Sequence, residues 1–170
     1  KYGFDLIYAF EPSKKCLINL KKFKKKNIVI INSGLSNNDY NAELLNPGTL
    51  GATTLTLPSK NLTKERVSLL KTSKWFKKNI NKNDLVVVKL NCEGGECDII
   101  EDLIDSEQIN KIYNLLITFD IREFKNLSFR EKIIRDKLNM MIIKNYCFAD
   151  DLMKGFNHQN RISNWLNEIG

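Results

Sequence analysis

Apolar positions follow two rhythms along this chain. The first is a series of short continuous runs at residues 6–11, 28–31, 84–90 and 112–119. Continuous runs rich in Ile and Val read as strands buried on both faces. The second rhythm is helical. Cys16, Leu17, Leu20 and Phe23 share one face, and Ile99, Ile100, Leu103 and Ile104 share another. Residues 128–139 are amphipathic, with Ser128 as cap and Glu131 completing a capping box. Residues 159–169 read as a terminal helix with Ile162, Trp165, Leu166 and Ile169 inward. Ser13, after Pro12, is placed to cap the first helix.

Shorter signals fill the gaps. Residues 42–45 read as a short strand, 66–70 as an edge strand, and 73–80 as a helical turn or two carrying Trp75 and Phe76. The stretch 35–41 is polar and turn-rich. Residues 46–61 hold Pro47, Gly48, Gly51 and Pro58 and read as a loop. Residues 140–157 show no assignable period. Strands alternating with helices predict an α/β domain: a mostly parallel sheet, covered on both faces, with 84–90 as its central strand. At 170 residues the chain fits one domain.

In open α/β sheets, ligands bind at the carboxyl ends of strands. The run 86–90 ends in Lys89, then Asn91, Glu93, the pair Gly94-Gly95, and Glu96, which opens a helix. The first run ends in Glu11. An acid there suits both hydroxyls of a ribose, and the polar loop Gly34-Leu35-Ser36-Asn37 after the next strand suits an adenine edge. The fourth run ends in Asp120-Ile121-Arg122.

Three phrases stand in order: Ala9-Phe10-Glu11-Pro12, then Leu35-Ser36, then Lys89-Leu90-Asn91-Cys92-Glu93-Gly94-Gly95-Glu96. Their order and spacing, over roughly residues 6–123, resemble the FkbM family of S-adenosylmethionine-dependent methyltransferases. The resemblance implies a Rossmann-like class I methyltransferase sheet, S-adenosylmethionine as cofactor, and O-methylation of a sugar or glycan hydroxyl. It implies cofactor contacts from Glu11, Pro12, Leu35, Ser36 and Asn91. Lys89, Asn91, Glu93 and Asp120 would surround the transfer point. Lys89 either binds substrate or pairs with Glu93, and Glu96 and Arg122 face the substrate.

The chain departs from that family in three places. The family's D-x-G-A-x-x-G turn has no counterpart, because only residues 1–5 precede Leu6 and no G-x-G occurs. The expectation is a chain whose first strand lies upstream of Lys1. Asn91 stands where the family has Asp, and an amide is not a base at neutral pH. Asp120-Ile121-Arg122 stands where the family often has Glu-x-His, and Arg122 is suited to an anionic group.

Composition changes the picture little. Lys plus Arg number 27 and Asp plus Glu 20, so the formal charge is 27 − 20 = +7. Heavy use of Lys, Asn and Ile fits an AT-rich coding bias, which raises charge without any acidic partner. No apolar run is long enough to span a membrane and no signal-peptide pattern is present, so a cytoplasmic protein is expected. Cys16, Cys92, Cys97 and Cys147 form no C-x-x-C pair, and the one His is His158, so no metal site is expected. Cys16 and Cys147 read as buried thiols. Two other readings remain: a non-catalytic methyltransferase-like scaffold or partner domain, and a nucleic-acid-binding or RNA methyltransferase module. The second uses the Lys-rich stretch 14–26 and Lys74, Lys77 and Lys78 beside Trp75 and Phe76. No feature fixes an oligomeric state.

Overall fold

A continuous apolar run buries itself only against neighbours on both sides, and the first such run does so incompletely. In the computed structural model, β1 (Ile7–Phe10) pairs in parallel with β2 (Ile28–Ile31), and α1 (Lys14–Leu20) runs between them. None of these three elements holds a fully buried residue. The structure describes residues 3–23, 25–56, 62–141, 146–148 and 158–169, and in the last segment the side chains of 160 and 162–167.

A second sheet has the order β3-β5-β4, made of Gly34–Ser36, Lys64–Lys71 and Tyr40–Leu45. β3 is parallel to β5 and β4 is antiparallel to it. A third sheet, all parallel, has the order β6-β7-β8, made of Val86–Leu90, Ile112–Ile117 and Tyr146–Phe148. Helices α2 (Thr72–Asn79), α3 (Glu96–Asp105), α4 (Phe129–Met140) and α5 (His158–Ile169) complete the chain. The architecture is mixed α/β with parallel sheets, compatible with a Rossmann-like fold.

The core lies where β7 meets α3 and α4. Leu115 and Ile117 on β7, Ile100 and Leu103 on α3, and Ile134 and Leu138 on α4 are all fully buried. Each such side chain contributes about 1.5–3 kcal/mol. On the opposite face of β7, Leu116 packs with Trp165 of α5, and the indole N–H of Trp165 donates to Asn114 at 2.7 Å.

Several expectations are corrected. The parallel strands form separate hydrogen-bonded sheets. β6 is not central: it is half-buried at the edge of its sheet, and β7, paired on both sides, is the buried one. The expected edge strand 66–70 is longer and sits in the middle of its sheet, because β3 and β4 pair on its two sides. The "turn" at 35–41 begins with strand β3. Ser13 and Ser128 stand at the expected N-cap positions, but neither side chain makes the capping hydrogen bond. Ser13 turns its hydroxyl to Glu65 at 3.2 Å. Ser128 donates to the carbonyl of Lys125, while Glu131 pairs with Arg122 and Arg135. Phe23, expected inward, is 70% exposed. Cys16 and Cys147 are only half-buried. In the unassigned stretch 140–157 the structure places β8, and the expected inward side chain of Ile169 lies outside the described residues.

Candidate functional site

Parallel strands β6 and β7 end side by side, so the residues just past them share one edge of the sheet. After Leu90 the chain makes a tight turn, closed by the Gly95 amide donating to the Cys92 carbonyl at 3.1 Å. Glu93 has φ 49° and Gly94 φ 103°. The left-handed region costs a non-glycine residue roughly 1–2 kcal/mol, so other bonds must hold Glu93 there. Its amide donates to Asp120 Oδ2 at 3.3 Å, and its carbonyl accepts from the Thr53 hydroxyl at 2.6 Å. Gly94 is required for space as well as for φ: a Cβ there would run into Leu55. Thr53 is 4% exposed, and its oxygen also accepts from the Leu55 amide at 3.1 Å. A strap from the 46–56 loop thus clamps the turn.

Asp120 Oδ2 also accepts from Asn91 Nδ2 at 3.1 Å. Asn91, Glu93 and Asp120 are therefore brought together. The Glu93 carboxyl is pushed up to about 7, first by burial and then by the charges of Asp120, Glu96 and Glu123. Burial holds Lys89 below its ordinary value, opposed by its neighbours Cys92 and Asp120 rather than by Glu93. Burial pushes the Cys97 thiol up to about 12, so it is no thiolate nucleophile at neutral pH, whereas Cys92 is exposed at the turn.

Glu96, expected to face substrate, is turned into the protein and is 0% exposed. Its two oxygens accept from the amides of Gly94 at 2.9 Å and Ile121 at 2.6 Å, which fastens the β6 turn to the β7 turn. Burial raises its pKa, and those same amides oppose the rise. Arg122 donates to the Phe119 carbonyl at 2.7 Å and to Glu131 at 3.1 Å.

Glu11 and Pro12 sit at the carboxyl end of β1. Glu11 is half-buried; burial raises its pKa, with Glu65 adding to the rise, and its Oε1 accepts from the Ser13 amide at 2.8 Å. Leu35 and Ser36 depart from the expected open loop. Leu35 packs against the main core. Ser36 is 3% exposed: its hydroxyl meets Tyr40 at 3.2 Å, and its carbonyl accepts from the Thr72 hydroxyl at 2.8 Å.

Sequence reasoning missed Thr53 and Leu55, because the only local signal was a loop rich in turn residues. For the nucleic-acid reading, Trp75 is not a free stacking platform. Its ring is met edge-on by Tyr8 at 4.7 Å and Phe10 at 5.0 Å, and Lys74 is paired with Asp39. Among the described residues, no group of three or more His, Cys, Asp or Glu is arranged to hold a metal ion, and no helix is long and apolar enough to cross a membrane. No family model, no curated protein and no solved structure matches this chain.

Proposed function

We propose that this chain is a S-adenosylmethionine-dependent O-methyltransferase domain acting on a sugar or glycan hydroxyl, with Glu93 as general base. The observation that carries this reading is the meeting of Asn91, Glu93 and Asp120 at the carboxyl ends of two adjacent parallel strands. A carboxyl that titrates near 7 is matched to taking a proton from a hydroxyl at neutral pH. The cofactor, when bound, supplies a methyl group on a cationic sulfur, and the carboxyl groups of Glu93, Asp120 and Glu123 favour a cation at this edge.

The residues fit that cofactor at its ribose. Glu11 ends β1, and a carboxylate has acceptor positions beyond the one that Ser13 occupies. They do not fit at the adenine edge, because Ser36 is enclosed and Leu35 belongs to the core. Nor is Gly34 a cradle: Leu69 already fills the space its Cβ would take. Within the site, Asp120 orients the Asn91 amide and the Glu93 backbone, and Glu93 receives the proton of the acceptor hydroxyl. Asn91 donates a hydrogen bond and takes no proton.

The experiment is transfer of labelled methyl to a panel of sugar and lipid-linked glycan acceptors, alongside calorimetric binding of the cofactor. Transfer should rise with pH through about 7 and fall about 10²–10⁴-fold in Glu93→Gln. Glu11→Gln should weaken cofactor binding with the fold intact. Cofactor bound without any transfer favours the scaffold reading, to which one observation already speaks: the amide at position 91 is tied to Asp120 where a base would stand.

A further inference from the structure

We propose that the outer face of α1 docks on an anionic phospholipid surface. This inference is independent of the methyl-transfer reading. Residues 14–26 hold seven Lys and no acid. Their arrangement matters more than their number. Ile18 lies three and four residues from Lys14, Lys15, Lys21 and Lys22, the positions that adjoin it on a helix surface. It is 65% exposed, and Phe23, at the end of the short 3-10 turn Lys21–Phe23 that follows α1, is 70% exposed. An exposed aliphatic side chain with lysines at all four adjoining positions matches the chemistry of a lipid interface. At a lipid interface both parts are satisfied: Ile18 reaches the acyl boundary while the lysine stems extend to phosphate groups.

Among the described residues this face is covered only at its margin, where the stem of Lys15 lies beside Gly48. α1 has no fully buried residue; Cys16, Leu17 and Leu20, all half-buried, form its inward side. Glu65 accepts from the Ser13 hydroxyl and the Lys14 amide, so its carboxylate caps the start of the helix and does not neutralise the ring around Ile18. Lys22 donates to Asn19 at 3.0 Å, a neutral partner that leaves its charge in place. Nucleic-acid phosphates would also attract these lysines, and the exposed ring of Phe23 offers a base a face, but the residue that the lysines surround is the aliphatic Ile18, which offers none, and Trp75 is occupied elsewhere.

The test is co-sedimentation of the full chain with vesicles of phosphatidylcholine alone and of phosphatidylcholine mixed with phosphatidylglycerol. Binding is expected only to the mixed vesicles, and it should weaken as salt rises. Each lysine near such a surface is worth a factor of about five, so the double change Lys21→Glu, Lys22→Glu should lower partitioning by well over tenfold. Ile18→Ser leaves the charge alone and should lower it about tenfold. Both sites are exposed, and circular dichroism checks that the variants stay folded. Equal partitioning to both kinds of vesicle, no binding to either, or Ile18→Ser binding as well as the parent overturns the proposal. So does a single-stranded oligonucleotide that binds the chain tightly and releases it from the vesicles; that result assigns the face to nucleic acid.

Discussion

Glu93 and Glu96 stand three residues apart on one turn and meet opposite environments. Glu93 is left partly exposed among other carboxyls, and its pKa is pushed up to about 7 from 4.5. A carboxyl raised on folding binds protons more tightly folded than unfolded. Its contribution is therefore fully present below about pH 4.5 and is lost as pH rises through about 7. Glu93→Gln should raise the melting temperature above neutral pH and leave it unchanged near pH 4. With solvent screening of a partly exposed group, the gain is on the order of 1 kcal/mol, or about 2–4 °C. Thermal melts at both ends of that range check it, and a gain of equal size at low pH would contradict the assignment. Glu96, by contrast, joins two backbone amides inside the protein. Glu96→Gln replaces one acceptor with a donor facing an amide N–H. It should cost about 2–3 kcal/mol at neutral pH, read as a lowered denaturant midpoint with unchanged slope. In the sequence the two acids look alike. What separates them is side-chain direction, set by Ile121 and Asp120 on another strand's turn and by Thr53, which lies forty positions upstream of Glu93. No local pattern carries that information.

Helix α2 shows the same dependence on distant residues at the scale of elements. Its start has no cap of its own; Asp102 of α3 supplies one. Asp102 accepts from the Ser73 amide at 2.6 Å and the Ser73 hydroxyl at 3.0 Å, with Lys71 at 3.6 Å. Asp102 is 8% exposed, so removing its carboxylate strands buried donors. Asp102→Ala should destabilise by about 2–3 kcal/mol, whereas Ser128→Ala, at an N-cap position whose side chain makes no capping bond, should cost well under 1 kcal/mol. Urea titrations of the two variants decide between the caps. Strands were legible wherever apolar runs were continuous, as at 28–31 and 112–117. Their places in the sheets were not. β5 carries exposed Lys64, Arg66 and Ser68 along one side, which reads as an edge, yet it is flanked on both sides by β3 and β4. β8 is a three-residue strand whose neighbours in sequence show no period.

Across the whole molecule, burial is unevenly shared. β7, α3 and α4 hold most of the fully buried side chains, whereas β1, α1 and β2 hold none. The alternation of strand and helix announced an α/β chain, but it did not announce this gradient, because residues 6–10 are as apolar as residues 112–117 in composition. Local stability follows buried contacts. Amides of β1 and β2 should therefore exchange with solvent through local opening well before those of β7, which should exchange only on global unfolding. Hydrogen exchange followed by mass spectrometry tests this, and equal protection of β1 and β7 would show that the N-terminal elements are as firmly held as the core.

The edge-on contacts of Trp75 turn that gradient into something visible as light. The chain has two indoles, and they sit in different places. Trp75 is met by Tyr8 and Phe10 of β1, while Trp165 is hydrogen-bonded to Asn114 beside β7. With Trp165→Phe the remaining emitter watches β1 seat against α2; with Trp75→Phe it watches α5 seat against β7. Two emission curves that separate along a denaturant series would show the N-terminal strand leaving first, and would give its detachment a colour of its own.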